Sequence, residues 1–235
     1  MPNEASMPST KNDLRVVRVE DAWGRELALA VMRAIYRDEK NWILHDEKLV
    51  SAGDLADDKA SWFVVCVENQ PVGVLRVLYE VPLDLYRAYG FKLLAKGIDL
   101  EAFLRENKIA EIGRFAVLPE FRRNLLVVVG LMRAAVADTV ERGWTHYITD
   151  IFEGEQHSPH GFHTRVMGFQ EVATHEVGEL NCPNRRITMV LDLAHSYQRM
   201  RAGNNWIFRY LTEDWTPEMH QRVGGSRTAA PMALA

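Results

Sequence analysis

Cysteine is scarce in this chain. Its 235 residues include only Cys66 and Cys182, which allow no disulfide framework and sit in no CxxC or other metal-ligand spacing. Long hydrophobic runs are missing too. The opening MPNEASMPSTKN lacks the roughly 7–15-residue apolar stretch of a signal peptide, so no leader, anchor or stable membrane insertion is expected. Positive charge is also short, with 28 Lys and Arg against 32 Asp and Glu and a net charge of −4. Such a chain lacks the basic field of a nucleic-acid binder, so no nucleic-acid partner is expected and any anion site is local. There is no internal repeat and no low-complexity tract. Few cysteines and no targeting segment fit a cytoplasmic protein.

What is present is an ordinary globular composition, 47% hydrophobic and 26% charged with a mean hydropathy of −0.20. Residues 1–13 and 224–235, small and unpatterned, are expected to be disordered tails. Between them the periodicity switches repeatedly. Residues 14–20 (LRVVRVE) alternate as a strand, whereas apolar positions 27, 31, 32 and 35 predict a helix over 24–38. Residues 61–67 and 72–79 read as a hairpin around a turn at 68–71, and 109–117 as a strand that Pro119 stops. A long helix is expected over 121–142, closed by Gly143, with shorter ones over 99–107 and 159–167. Further strands fall at 144–152, 169–175 and 186–193. The order predicts an α/β domain over 14–193, a mixed, mostly antiparallel central sheet of about seven strands with helices on both faces, followed by a helical appendage over 194–223.

Two junctions carry more information. Val117-Leu118-Pro119-Glu120-Phe121-Arg122 joins a strand to the long helix, and Val166-Met167-Gly168-Phe169 joins a short helix to a strand. Together with the element order they resemble the GNAT superfamily of N-acyltransferases, over most of the 14–193 unit. The resemblance implies a GNAT-like sheet, a thioester co-substrate carried on a phosphopantetheine arm, and no tightly bound cofactor. It also implies that Val117, Phe121, Arg122, Arg123 and Asn124 form the cofactor-binding turn, because free N–H groups and the positive dipole end of a helix favour an anion.

A narrower likeness lies inside this one. Glu111-Ile112-Gly113-Arg114-Phe115-Ala116-Val117 resembles the ExxRFxV strand of acyl-homoserine-lactone synthases and N-acyl amino acid synthases. Arg33 with Tyr36 and Trp42, the acidic pair Asp57 and Asp58, Gly73-Val74-Leu75-Arg76, and a long insertion over 80–108 follow in that branch's order. By this resemblance Arg33, Trp42, Asp57 and Asp58 bind substrate, and Glu111, Arg114 and Arg76 form the catalytic set. The implied activity moves a fatty acyl group from an acyl carrier protein thioester, or acyl-CoA, to the amine of a small acceptor such as an amino acid or a homoserine lactone precursor.

The chain also departs from the superfamily. Arg122-Arg123-Asn124-Leu125-Leu126-Val127 has no glycine where the phosphate loop needs close backbone approach. Side chains there crowd the diphosphate of coenzyme A more than the single phosphate of a carrier protein's arm. An acyl carrier protein is therefore the expected partner, with Arg122 and Arg123 suited to its acidic surface. The tyrosine that often serves as general acid is replaced by Thr164, so no acid is carried over. Neighbouring His163 reads either as a proton shuttle or as a polar surface residue.

Attack of an amine on a thioester needs a proton acceptor and donors for the developing oxyanion. Glu111 is the expected base or water-orienting residue. On a flat strand it shares a face with Gly113, Phe115 and Val117 while Ile112 and Arg114 point the other way, and a bulge permitted by Gly113 would reunite Glu111 with Arg114. Arg76 and Arg114 then position an acceptor carboxylate or the acidic pair, or are charges satisfied by ion pairs on the sheet. Residues 150–163 gather three carboxylates and three imidazoles, but Pro159 and Gly161 interrupt them and the spacing is not HExxH, so no metal is expected. Asp150 or Glu153 is instead a candidate for holding the acceptor's ammonium, with His163 beside them. Trp42, Trp62 and Phe63 read as acyl-tunnel lining or as core. Two alternatives stay open: an acetyl-CoA-dependent N-acetyltransferase, and a catalytically degenerate domain that only binds an acyl group or carrier. The appendage can pack on the sheet, cover the acyl channel or mediate a dimer, so monomer and homodimer are both compatible.

Overall fold

Residues 14–56, 58–79, 81, 88–94 and 100–225 are described by the computed structural model. The predicted tails (apart from Gly224 and Gly225), Asp57 and much of the 80–108 insertion lie outside the described residues. Strand β1 (Leu14–Arg18) leads to α1 (Ala22–Met32), whose N-cap Asp21 accepts a 2.7 Å bond from the Gly24 amide. Helix α1 runs on as a π-helical segment, Arg33–Glu39. Two short helices, α2 (Asp46–Leu49) and α3 (Ala52–Ala56), fill the stretch that shows no period in the sequence. The hairpin of β2 (Ala60–Val67) and β3 (Gln70–Leu78) turns on Glu68 and Asn69, both at positive φ, so the turn is two residues long and Pro71 lies inside β3. From the insertion come β4 (Lys92–Leu93) and α4 (Leu100–Glu106).

After β5 (Ile109–Val117), Pro119–Phe121 forms a 3₁₀ turn, and α5 (Leu125–Glu141) starts four residues later than its apolar pattern suggests. Asn124 sets that start by accepting a 3.1 Å bond from the Leu126 amide. Strand β6 (His146–Phe152), a π-helical segment (Phe162–Met167) ending on Gly168 at φ 91, β7 (Gln170–His175) and β8 (Arg186–Asp192) complete the core. The appendage is helical: α6 (Leu193–Gly203), α7 (Trp206–Leu211) and α8 (Pro217–Gly224).

Among the described residues the sheet has eight strands in the order β1-β2-β3-β5-β6-β8-β7-β4, one more than the sequence predicts because the two-residue β4 pairs with β7. Every neighbour is antiparallel except β5 and β6. One face, with Trp62, Val64, Val74 and Ala116, packs on Leu29 and Met32 of α1 and on Ile35 and Tyr36 after it. The other, with Phe63, Leu75, Ala110, Ile112 and Val117, packs on Leu131, Met132 and Ala135 of α5 and on Tyr197, Phe208 and Leu211 of the appendage. The parallel pair is short. It registers Ile109 with His146, Ala110 with Tyr147 and Glu111 with Ile148, and beyond that the strands part. The Thr149 hydroxyl donates to the Ile112 carbonyl at 2.8 Å, satisfying an acceptor that the ladder leaves unpaired.

Candidate active site

Where β5 and β6 part, a cleft of about 340 Å³ opens. Its floor is Ile112, Phe115, Val117 and Ile151, its walls include Ile35, Trp42, Phe162 and His163, and Arg122, Arg123 and Leu125 lie at the start of α5. Lys40 and Glu155 form an ion pair within this lining, and the Trp42 and Phe152 rings meet at 4.5 Å. Most amides of the turn into α5 already have partners. The amides of Phe121, Arg122, Asn124 and Val127 bond to backbone carbonyls of the same turn, and that of Leu126 to the Asn124 side chain. This leaves little of the convergent N–H cradle that a diphosphate requires.

A bulge decides the other side of the site. The β3–β5 register shifts between Val74 and Arg76, and Arg114 opposite this stretch sits at φ 51. A left-handed conformation at a residue with a Cβ costs about 1–2 kcal/mol, so the surroundings hold it. Because of the bulge, Phe115 and Val117 pack with α5, whereas Arg114 turns to the α1 face with its guanidinium over the Tyr36 ring at 5.8 Å. The flat-strand expectation for Phe115, Val117 and Arg114 is thereby corrected. The strained backbone lies at Arg114, one residue past the glycine.

Glu111, Gly113, Arg76 and Arg114 line a second cavity of about 280 Å³, together with Tyr89, Asp150, Glu179 and Arg186. Arg76 donates to Glu111 at 3.0 Å, and Arg114 pairs with Glu179. Burial works against the Arg76 charge, but Glu111, Glu179 and Asp54 outweigh it and hold its pKa above the ordinary value. The buried Nε atoms of Arg76 and Arg114 have no partner among the described residues. Such donors suit an arriving carboxylate, and the carboxylates beside them suit an ammonium. The two cavities share Tyr36, Ile112, Gly113, Asp150 and Phe152. Tyr36 is pushed up to about 12, chiefly by burial, so its phenol stays protonated at this junction.

Asp150 accepts a 2.8 Å bond from the Thr188 hydroxyl and faces His175 Nε2 at 3.1 Å. His163 is buried among Phe115, Phe162 and Phe169, and burial pushes its imidazole down to about 4. It is therefore neutral near pH 7 and is not the surface residue that the sequence offers as one reading.

Several expected site residues lie elsewhere. Arg33 is bound to Asp46 at 2.7 Å and lines neither cavity. Asp58 is exposed near Arg142, and Asp57 lies outside the described residues; Asp54 lies nearer, accepting from Trp62 Nε1 at 3.1 Å and standing 3.9 Å from Arg76. Glu153 is exposed and engaged by Arg185 at 2.6 and 2.9 Å. Phe121 packs on the core, Asn124 caps α5, and Arg122 is spent on Glu39 and the Val117 carbonyl, leaving Arg123 as the exposed arginine of the pair. Trp62 and Phe63 are core residues, while Trp42 does line the cleft. His160 pairs with Glu171 at 2.5 Å, and no group of three metal-ligating side chains occurs among the described residues. Glu179 and His175 were missed: the first sits in the unpatterned loop after β7, and the second reads as an ordinary strand end.

Comparison with known proteins bears on the family and the fold. Residues 28–191 match the protein family described as N-acyl amino acid synthase FeeM. Among solved structures, the chain is similar to FeeM, an N-acyl amino acid synthase from uncultured soil microbes, with TM-score 0.60 and 15% identity over 79% of this chain and 93% of that one. The ribosomal-protein-S18-alanine N-acetyltransferase from Escherichia coli gives 0.51 and 10% over 76% and 93%. A ribosomal L7/L12 α-N-protein acetyltransferase in complex with coenzyme A gives 0.51 and 12% over 79% and 96%. At such identities the structural likeness is one of fold, that of GNAT acyltransferases. Comparison with curated proteins gives no match.

Proposed function

The chain belongs to the FeeM family of N-acyl amino acid synthases, and from that premise we propose that this N-acyltransferase moves a fatty acyl group from a carrier-protein or coenzyme A thioester to the amine of a small acceptor such as an amino acid. The observation that carries the reading is the junction of two chemically different cavities. The cleft between β5 and β6 has an aliphatic and aromatic floor suited to an acyl-pantetheine arm, and the cavity beyond Gly113 sets guanidinium groups beside carboxylates, suited to a zwitterion.

Each cavity then has its part in the chemistry. Arg76 and Arg114 hold the acceptor's carboxylate, and Glu111, fixed by Arg76, receives the ammonium and takes its proton so that the amine can attack. Tyr36, protonated at the junction, is a donor for the oxyanion. The turn at the start of α5, with no glycine and most of its amides already bonded, favours a donor with one phosphate over a diphosphate, hence a carrier protein over coenzyme A.

The test incubates the purified protein with acyl-carrier-protein, long-chain acyl-CoA and acetyl-CoA donors against amine pools, reading products by mass spectrometry and free thiol by colour. Long-chain acyl amides from the carrier donor are expected. Consumption of acetyl-CoA alone would establish an acetyltransferase instead. Carrier binding without thiol release would establish a binding module.

A further inference from the structure

Acyl transfer from a thioester also needs a proton for the departing sulfur. Thr164 donates its own hydroxyl proton to the His160 carbonyl at 2.8 Å. Tyr36, at about 12, lies well above an ordinary thiol near 8.5, so proton transfer from it is uphill. Neither is a useful acid.

The contacts of His175 point to another source. Its ring is buried, stacked on Tyr89 at 5.4 Å with Phe91 edge-on at 5.1 Å. Nδ1 lies 2.6 Å from the Val177 carbonyl oxygen, which can only accept, so Nδ1 carries hydrogen. Nε2 faces the Asp150 carboxylate at 3.1 Å. A neutral imidazole with hydrogen on Nδ1 would turn a lone pair on a carboxylate, so the Nε2–Oδ2 contact requires one further proton, on the ring or on Asp150. Thr188 supplies the bond to the other carboxylate oxygen, and Arg186, the cross-strand neighbour of His175, is turned away onto the Glu176 and Leu180 carbonyls. Asp150 lines both cavities.

We propose that Asp150, sharing a proton with His175, is the proton donor to the departing thiolate, and that His175 is the positioning residue that keeps this proton at the junction. The inference rests on the acyl-transfer reading above. The amine nitrogen forms the C–N bond and the C–S bond breaks. The sulfur takes the shared proton to leave as a thiol, and the pair regains a proton from the nitrogen of the new amide. Glu111 handles the earlier proton, that of the arriving ammonium.

Two truncated donors of the same acyl chain separate this role from a structural one: an S-alkyl thioester of N-acetylcysteamine, and an S-aryl thioester whose thiolate leaves unaided. Asp150→Asn and His175→Gln are expected to lose about 10²-fold or more on the alkyl donor, yet to stay within a few-fold of the parent on the aryl donor. Glu111→Gln is expected to lose on both. Equal losses on both donors for Asp150→Asn, or no loss on either, would overturn the proposal. Asp150→Asn alone decides the matter should His175→Gln not fold, since Asn keeps partners for Thr188 and His175. A parent enzyme that turns over neither truncated thioester nor the same acyl chain on the carrier protein defeats the acyl-transfer reading and the inference with it.

Discussion

Glu111 answers to two demands at once, as the partner of a buried arginine and as a carboxylate lining the second cavity, where the acceptor is proposed to bind. Its replacement by Gln separates them, because an amide oxygen still accepts from Arg76 but takes no proton near neutral pH. Turnover is expected to fall about 10²–10⁴-fold with the protein still folded at the assay temperature, measured as rate and melting curve on one sample. An unchanged rate removes Glu111 from the chemistry. Inactivity through unfolding would assign it to the ion pair, whose rupture costs about 3–5 kcal/mol. His163 poses a different question, one of stability. Burial first, and His160 second, bring its imidazole down to about 4 from 6.5. The unfolded chain therefore binds more protons between those values, so the stabilising contribution of the neutral ring is complete above about pH 6.5 and is lost as pH falls towards about 4. At 1.36 kcal/mol per pKa unit the loss is about 3 kcal/mol. Urea midpoints near pH 7 and near pH 4.5 should separate further in the native protein than in His163→Phe, which suits the surrounding aromatic rings. A parallel decline in both would place the acid sensitivity elsewhere.

At the scale of the element, the bulged β5 brings the site together. A Cβ on Gly113 would stand 2.9 Å from a Glu111 carboxylate oxygen and 3.4 Å from Arg76 Nη2, displacing the ends of flexible side chains and no backbone. Gly113→Ala is thus expected to melt within a few degrees of the parent yet lose about 10²-fold in kcat/KM for the acceptor, since misplacement by about 1 Å has that effect. A variant of normal activity would mean that the Glu111–Arg76 geometry is not limiting. Strand β1 was legible from its alternation, β2 and β3 as short apolar runs bounded by a turn, the pattern of strands covered on both faces, and α1 and α5 from their apolar residues at helical spacing. The start of α5 was misread because its apolar residues say nothing of the Pro119 turn, and only the Asn124 cap marks the first helical residue. Arg114 at positive φ was not legible, since nothing in the residue type asks for that conformation; Gly113 signalled a bulge and its neighbour bears the strain. Glu179 was invisible for another reason: its position depends on Arg186 bonding to the carbonyls of Glu176 and Leu180, a contact made only when β7 and β8 pair.

The whole molecule depends on a segment that contributes nothing to the lining of either cavity. Helices α6–α8 place Tyr197, Phe208, Leu211 and Val223 in the same buried cluster as α5 and the sheet, and Arg222 donates to the Val140 and Glu141 carbonyls at the end of α5 at 2.7 and 2.5 Å. Of the roles open to the appendage, packing on the core is the one observed, and it is reached through α5. Full burial of a large apolar side chain stabilises by about 1.5–3 kcal/mol, so four of them together are comparable with the whole net stability of an ordinary domain, about 5–15 kcal/mol. Arg222 adds to this by bonding carbonyls of the last helical turn, where a cation also complements the dipole. Removal of residues 194–225 is therefore expected to abolish cooperative folding and not merely to alter acyl specificity. The measurement is the thermal transition of the truncated chain, read by near- and far-ultraviolet circular dichroism. Retention of a sharp transition within a few degrees of the full chain, with acyl transfer intact, would show that the core stands alone and that α6–α8 serve another purpose.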